Sequence, residues 1–296
     1  MIDRRTFLAA AAAAAFAGGC SGGAAPPASA DKSAADRFEA IRATLGPGGR
    51  LGVAAIETRS GRRLVHDPDA RYAMASTFKL PLAAAVLAEV ERGRIGLDEE
   101  LKFEPGEPLD NSPVVKAHLR RGRLPVRRLC GAIIERSDNS AANLLLRRIG
   151  GPEALTRFMR AQGDRVTRLD RYEMELNSNL PGDPRDTTSP AAMAELARTL
   201  VLGDLLSEGS RNLLSGWLKR AVPGPDRLRA GLPAAWLVGH KTGTGANGAV
   251  NDVAIVWRSG APPLVIACYQ SGGDAPLAVR AAAHASVGRL VAEAFG

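Results

Sequence analysis

The chain has little aromatic surface to offer a nucleic acid. Only 4% of its 296 residues are Phe, Trp or Tyr, although the formal net charge is +8. Single-stranded nucleic acids are usually bound by aromatic side chains that stack on bases and by basic residues gathered on one surface. Here the arginines are scattered along the chain. The charge therefore predicts a basic, solvated surface and no nucleic-acid partner.

Cysteine and histidine are also scarce, which argues against a metal site. The histidines are His66, His118, His240 and His284, and they are isolated in sequence, unlike zinc ligands. Cys130 and Cys268 lie in apolar segments, where cysteine behaves as a small buried hydrophobe. A disulfide between them is the alternative in an oxidising compartment. We predict no metal and no cofactor.

Beyond the N-terminus, the sequence lacks an uncharged apolar run of about 18 residues, so no membrane span is predicted. At the N-terminus, Arg4 and Arg5 precede an alanine-rich run over residues 8–17. This pattern predicts an export signal of the twin-arginine type within residues 1–30. A general secretory signal or a short membrane anchor is the alternative.

Two processing sites compete in this leader. Residues 17–20 (AGGC) resemble a lipoprotein cleavage box, which would leave a lipid anchor on Cys20. Residues 28–30 (ASA) would instead release a soluble chain that begins at residue 31. Both stay open, and residues 20–33 would be a flexible tether in either case. The protein is expected to be periplasmic or otherwise exported.

Strand patterns occupy both ends of the remaining chain, and helical patterns occupy the middle. The predicted strands are 51–58, 63–66, 235–239, 252–257 and 264–269; the predicted helices are 35–45, 77–91, 126–137, 141–149, 152–162, 190–202, 205–219 and 276–294. This order predicts an α/β fold of the α+β type in one folded domain, residues 31–296. Its sheet lobe (about 34–70 and 220–296) has a mixed, mainly antiparallel sheet flanked by the terminal helices. An all-helical lobe (about 71–219) packs beside it, with the active site between the two.

Ser76 and Lys79 form an S-x-x-K motif at the start of a strongly apolar predicted helix. Their spacing places both side chains on one helix face. A serine hydroxyl needs a neighbour to take its proton, and a desolvated lysine can do so. Backbone N–H groups at the helix start could stabilise an oxyanion. Alone, the motif is explained more simply by a capping serine and a solvated lysine.

Two further motifs make coincidence a poor explanation. Residues 137–139 (SDN) lie between two predicted helices, and residues 241–243 (KTG) follow a predicted strand. With S-x-x-K, this ordered set resembles that of class A serine β-lactamases and penicillin-binding proteins. Residues 171–177 (RYEMELN) are similar to the R-x-E-x-x-L-N stretch of the class A omega loop, here about residues 168–186. The resemblance to class A covers residues 35–296.

The resemblance implies a role for each catalytic side chain. Ser76 is the nucleophile, and Lys79 and Glu173 share proton transfer during acylation, with the identity of the base left open. Ser137 passes a proton to the departing lactam nitrogen. Glu173 then activates the water that frees the acyl-enzyme, and Asn177 also holds that water.

The resemblance also implies a substrate-binding set: Asn139, Asn177, Lys241, Thr242, Gly243 and Thr244. Asn139 orients the acyl-side amide, and Lys241 and Thr242 bind the substrate carboxylate. The backbone N–H groups of Ser76 and Thr244 form the oxyanion hole.

Three residues are expected to support the omega loop. Arg171 and Asp186 would pair across its base, and a buried pair of this kind is destabilising to break. Asn143 would hydrogen-bond the loop backbone near Glu173, although an ordinary helix asparagine is the alternative. Met174 follows Glu173 where the family often has proline, so a cis bond there would be costly.

Other positions depart from familiar members of the family. Asn111 stands where an aromatic wall is common, and His240 stands where aspartate is common, which could add a pH dependence. Arg227 is the favoured partner for the substrate carboxylate, because a guanidinium suits bidentate contact. Arg280 is the weaker candidate.

We therefore predict an enzyme that hydrolyses β-lactams, acting as a monomer on a small-molecule substrate. A peptidoglycan DD-peptidase of the same fold is the first alternative, and Glu173 and Asn177 argue against it. A non-catalytic lipoprotein that binds the cell wall is the second. Retention of the full catalytic set argues against that alternative.

Overall fold

The computed structural model describes residues 28–106 and 108–296. The predicted leader features at Arg4, Arg5 and Cys20 lie outside the described residues. Within the described part of the chain, no helix is both long and apolar enough to cross a membrane.

A five-stranded sheet forms the frame of the molecule. Its strands are β1 (Arg50–Glu57), β2 (Arg63–His66), β7 (Leu237–Thr244), β8 (Val250–Arg258) and β9 (Ala261–Ser271). Their order is β2-β1-β9-β8-β7, and every pair in this sheet is antiparallel. The predicted fold class is confirmed, with a fully antiparallel sheet in place of a mixed one. β7 is an edge strand, which leaves its outer side free to line a cleft.

Short strand pairs brace the segments outside this sheet. β3 (Tyr72–Ala73) pairs with β6 (Thr187–Thr188), and β4 (Glu100–Lys102) pairs with β5 (Arg123–Pro125). The sequence patterns predict neither pair, because two or three residues are too few to show a strand period. The first pair matters for the site, since it joins the segment before Ser76 to the end of the omega loop.

Ten helices are found in the described residues. They are α1 (Ala28–Ala43), α2 (Lys79–Glu91), α3 (Pro113–Ala117), α4 (Val126–Glu135), α5 (Asn139–Ile149), α6 (Gly151–Ala161), α7 (Pro190–Leu202), α8 (Glu208–Lys219), α9 (Leu228–Gly231) and α10 (Leu277–Phe295). The longer ones follow the predicted ranges, with ends that differ by a few residues and a larger difference at the start of α1. The short helices α3 and α9 are not predicted.

The two faces of the sheet belong to two separate hydrophobic clusters. Ala54 and Ile56 face the helices α2 and α4–α7, whereas Val53 and Ala55 face α1 and α10. Successive strand residues point to opposite faces, so one strand serves both cores. The boundaries of the two predicted lobes stay a prediction.

Both apolar-segment cysteines are buried, as predicted. Cys130 lies on α4 in the first cluster and Cys268 lies on β9 in the second. Both are free thiols, so the alternative of a disulfide between them is wrong. Burial raises the pKa of each thiol, which leaves both as unreactive packing groups.

Candidate active site

Ser76 lies on a tight turn that leads into the buried helix α2. The turn is a 3-10 helix, Ala75–Phe78, and α2 begins at Lys79. Ahead of the turn, Asn251 Nδ2 donates to the carbonyls of Ala73 (2.9 Å) and Met74 (3.0 Å). These bonds tie the serine turn to β8. Sequence reasoning missed Asn251, because nothing in its local sequence marks it as an anchor.

Lys79 is the most crowded polar group of the site. Its side chain is fully buried, and Nζ lies 3.0 Å from Ser76 Oγ and 2.8 Å from Glu173 Oε1. Nζ also donates to Asn139 Oδ1 at 2.5 Å and to the Ser137 carbonyl at 3.0 Å. Burial lowers the pKa of Lys79, and the nearby Glu173 carboxylate opposes that effect. The lysine can therefore hold or release a proton between the serine and the glutamate.

Ser137 lies between two lysines. Its hydroxyl is 3.1 Å from Lys241 Nζ and 3.5 Å from Lys79 Nζ. Burial, and then repulsion from Lys79 and Arg227, hold the pKa of Lys241 well below its ordinary value. A hydroxyl placed between two lysine side chains can receive a proton from one of them while it gives its own proton to a third group.

The loop that carries Ser137 is built by a neighbouring aspartate. Asp138 caps α5 by accepting from Ala141 N at 2.9 Å, and its other oxygen accepts from the N–H groups of Val114 (2.8 Å) and Val115 (3.0 Å). Ser137 itself has a left-handed backbone, with φ 56°. Asp138 was not singled out from the sequence, although an aspartate just before a helix is the usual signal of a cap.

Glu173 is fixed to the helical part of the molecule by its backbone. Asn143 Nδ2 donates to the Glu173 carbonyl at 2.9 Å, and Glu173 N donates to Asn143 Oδ1 at 3.0 Å. The Glu173 side chain takes no part in these backbone bonds, and its carboxylate accepts from Asn177 Nδ2 at 2.6 Å. The Glu173–Met174 peptide bond is cis although no proline follows. Asn177 Oδ1 is buried without a hydrogen-bond partner among the described residues.

The base of the omega loop is closed by reciprocal bonds. Arg171 Nε donates to Asp186 Oδ2 at 2.6 Å, and Asp186 Oδ1 accepts from the N–H groups of Asp170 (2.7 Å) and Arg171 (3.0 Å). In return, Asp186 N donates to Asp170 Oδ2 at 2.9 Å. The Asp186 side chain is fully buried and that of Arg171 is 16% exposed. Both carboxylate oxygens of Asp186 therefore accept hydrogen bonds, and Arg171 Nη2 also donates to Ser178 Oγ at 3.0 Å.

The K-T-G motif lies on β7, not after it. Residues 241–244 continue the ladder with β8, from Lys241↔Val253 to Thr244↔Val250. The predicted strand ends at residue 239 because the polar residues His240, Lys241 and Thr242 do not continue an apolar pattern. Pairing along the backbone overrides that local preference.

Gly243 allows β7 to approach the serine turn closely. A Cβ at Gly243 would lie 2.8 Å from the Met74 carbonyl and 3.2 Å from Ser76 N. Beyond it, Thr244 is exposed and lines an open cleft of about 540 Å³ with Ser76, Asn139 and Asn177. The cleft therefore joins Ser76 to the omega loop and the end of β7.

Arg227 reaches the same end of β7 from the segment before α9. Its Nη1 donates to the carbonyls of Gly243 and Asn251, each at 2.8 Å, and Nη2 donates to Thr244 Oγ1 at 2.7 Å. Arg280 instead donates to loop carbonyls at Gly248, Gly272, Gly273 and Ala275. The geometry favours Arg227 as the arginine beside the cleft.

His240 and Asn111 are the two departures from the family pattern whose surroundings the sequence does not predict. His240 is buried on the face of β7 opposite Lys241, with Nδ1 3.0 Å from Asp252 Oδ1. Asn111 is exposed at the cleft and donates through Nδ2 to the Ser137 carbonyl at 3.1 Å. Across residues 28–106 and 108–296, no group of three or more His, Cys, Asp or Glu is arranged to hold a metal.

Comparison with known proteins identifies this arrangement. A sequence model of the "Beta-lactamase enzyme family" matches residues 34–295. A β-lactamase of Amycolatopsis lactamdurans is 45% identical over 83% of this chain and 81% of the relative. β-Lactamase L2 of Stenotrophomonas maltophilia is 45% identical over 84% of this chain and 82% of the relative. The structure of a class A β-lactamase titled as the last common ancestor of Gram-negative bacteria superposes with a TM-score of 0.87, at 49% identity over 89% of this chain and 100% of that chain.

Fold and relatives together define a serine enzyme that acts on β-lactams. The chain belongs to the class A serine β-lactamases. Its activity is β-lactam hydrolysis on a small-molecule substrate, and the two alternative functions are not favoured.

Proposed function

We propose that the chain opens the β-lactam ring by acylating Ser76 and that Glu173 drives the release of the acyl group by water. The observation that carries this proposal is the buried contact between Lys79 and Glu173, at 2.8 Å, with Ser76 Oγ 3.0 Å from the same Nζ. The amine of Lys79 thus lies within hydrogen-bond distance of both the serine hydroxyl and the carboxylate. That proximity is what a two-step acyl transfer requires.

In the acylation step, Ser76 Oγ attacks the lactam carbonyl and loses its proton to the Lys79–Glu173 pair. The negative charge that forms on the carbonyl oxygen is stabilised by the N–H groups of Ser76 and Thr244. The close passage of Gly243 beside Ser76 N supports this oxyanion hole. The carbon–nitrogen bond then breaks, and the nitrogen takes a proton from Ser137. The lysines beside Ser137 replace that proton.

In the deacylation step, Glu173 takes a proton from water, and the resulting hydroxide attacks the acyl ester. The ester oxygen leaves as Ser76 Oγ and takes a proton from Lys79, which is replaced by the proton that Glu173 took from water. Asn177 supports this step, because its amide nitrogen donates to Glu173 while its buried Oδ1 has no described partner and can accept from the same water. Asn143 keeps Glu173 in place through its two backbone bonds.

Substrate binding uses the end of β7 and the floor of the cleft. Lys241 and Thr242 receive the substrate carboxylate, and Asn139 orients the acyl-side amide. Thr244 Oγ1 accepts from Arg227, so its own hydroxyl proton is available to the carboxylate. Arg227 adds its positive charge at the same place.

Mass spectrometry with a penicillin tests the scheme. Wild-type protein should turn over many equivalents, whereas Glu173→Ala should accumulate a stable adduct on Ser76. A Ser76→Ala control should form no adduct. A wild type that stalls after one equivalent would instead indicate a peptidase, and the absence of any adduct would remove Ser76 as the nucleophile.

We further propose that the protein is exported as a monomer, through the signal in residues 1–30. Cell fractionation of the full chain and of a paired Arg4→Lys, Arg5→Lys variant tests the twin-arginine route. Loss of membrane association in Cys20→Ala would establish a lipid anchor, and no change would favour the soluble form. Sedimentation of the purified protein tests the monomer.

A further inference from the structure

A second polar cluster lies next to the cleft, on the face of β7 that carries His240, Thr242 and Thr244. Asp252 on β8, Arg227 before α9 and His284 on α10 meet His240 there. The exposed fractions are 1% for His240, 0% for Asp252, 7% for Arg227 and 0% for His284. Burial of charged groups is unfavourable unless they are paired and hydrogen-bonded. None of the catalytic steps accounts for His240, Asp252 or His284.

Asp252 is the centre of this cluster. Its two carboxylate oxygens lie 3.0 and 3.2 Å from His240 Nδ1, and Oδ2 also accepts from Leu228 N at 3.2 Å. Burial acts to raise the pKa of Asp252, but His240, His284 and Arg227 outweigh it and hold the pKa below its ordinary value. An ionised carboxylate only accepts hydrogen bonds, so His240 Nδ1 carries the proton and donates.

The same carboxylate fixes the base of Arg227. Leu228 follows Arg227 in the chain, and its N–H bond to Asp252 holds the backbone from which the guanidinium extends. Burial lowers the pKa of Arg227, and the negative charge of Asp252 makes the largest contribution in the opposite direction. From this base, Arg227 reaches the carbonyls of Gly243 and Asn251 and the hydroxyl of Thr244. Through Asp252 and Arg227, His240 is thus connected to Thr244, which lies four residues later on the same strand.

We propose that His240 and Asp252 are positioning residues that hold Arg227 and, through it, the Thr244 hydroxyl in the geometry that receives the substrate carboxylate. This inference rests on the proposed function of the β7 end of the cleft. It separates two tasks on one strand, because Lys241 faces Ser137 while His240, one residue earlier, works from the opposite face. Loss of His240 should weaken the binding of an anionic β-lactam and leave the chemistry at Ser76 nearly intact.

Stopped-flow acylation by benzylpenicillin separates these effects, since it gives a half-saturating concentration and a limiting rate. His240→Phe removes the Nδ1 donor and should raise the half-saturating concentration roughly tenfold or more, with the limiting rate within about threefold. His240→Asn supplies an amide N–H in place of the imidazole donor and should restore the half-saturating concentration to within about threefold of wild type.

His284→Phe is the matched control, because His284 is a buried histidine of the same cluster whose described hydrogen bond goes to the Val250 carbonyl. It should lower the melting temperature without changing the half-saturating concentration. An equal rise in both phenylalanine variants would reduce His240 to ordinary packing and overturn the inference. Should His240→Phe not fold, Asp252→Asn removes the charge at nearly constant shape and is expected to give the same rise.

A double-mutant cycle tests the route through Arg227. In an Arg227→Ala background, His240→Phe should add little to the half-saturating concentration, because the group it positions is already gone. Multiplying effects would show that His240 acts independently of Arg227. The Ser76 adduct is recorded for every variant in a Glu173→Ala background, where deacylation is slow. No adduct in Glu173→Ala itself refutes the proposed function, whereas adducts in all variants with an unchanged half-saturating concentration refute the positioning role alone.

Discussion

Two buried ion pairs flank the omega loop, and they are built differently. At the base, both carboxylate oxygens of Asp186 accept hydrogen bonds, from Arg171 Nε and from the backbone N–H groups of Asp170 and Arg171. At the catalytic end, Lys79 contacts Glu173, Ser76, Ser137 and Asn139 at once, and Asn177 Oδ1 is left without a described partner. In the first arrangement each carboxylate oxygen has its own donor, whereas in the second, one lysine amine contacts a hydroxyl, a carboxylate and an amide oxygen. We therefore expect the pair at the base to stabilise the loop and the pair at the other end to transfer protons.

The largest effect should come from Glu173→Gln. This change keeps the shape of the side chain and removes the base, so the deacylation rate should fall by roughly 10²–10⁴-fold. Single-turnover kinetics measure that rate. Because burial already lowers the pKa of Lys79, the lysine can become neutral when its partner is lost, and the melting temperature should stay within a few degrees of wild type. A collapse in stability would mean that the catalytic pair is structural after all.

Asp186→Asn should show the reverse pattern. It leaves the largely buried Arg171 without its countercharge and should cost about 3 kcal/mol, or roughly 6–12 °C in melting temperature. Calorimetry measures this loss. The control is Asp183→Asn, because its partner Arg185 is 49% exposed and is solvated when the pair is broken. If both variants melt alike, the base of the loop is not the stabilising element described above.

Asn143→Ala tests what holds Glu173 between these two ends. It removes both bonds to the Glu173 backbone and should slow deacylation about 10- to 100-fold, since small displacements of a reacting group are costly. Acylation, which uses Lys79 directly, should change less. Equal losses in the two steps would indicate that Asn143 supports the whole site.

The smallest effect is a shift in pH dependence. A lysine acts as a base only when neutral, so acylation through Lys79 should increase as the pH rises through its pKa. Glu173 raises that pKa, so in Glu173→Gln it should fall further and the acid limb should move to lower pH. Stopped-flow acylation rates between about pH 4 and 9 measure the limb. Complete loss of the limb in the variant would assign the acylation base to Glu173.

The sequence predicts which motif residues meet at this site better than it predicts the residues that hold them in place. The motif residues are brought together because each motif lies at an element end, where Asp138 caps α5 and the serine turn starts α2. The partners Asn251 and Asp252 act through contacts distant in sequence, which no local pattern encodes. The face taken by His240 was missed for a simpler reason. Had β7 been predicted through Thr244, alternation alone would have placed His240 opposite Lys241.

The absence of a single carbon at Gly243 restricts how this enzyme can evolve. Any side chain there would meet the Met74 carbonyl and the Ser76 backbone nitrogen and push β7 away from the serine turn. Gly243 therefore fixes the distance between β7 and the serine turn. Thr244 and Asn111, by contrast, lie at the exposed rim of the cleft. Their side chains can change without altering the distance between β7 and the serine turn. We therefore expect substitutions that adapt the enzyme to new antibiotics to occur at the rim of the cleft. The position beside Ser76 accepts only glycine.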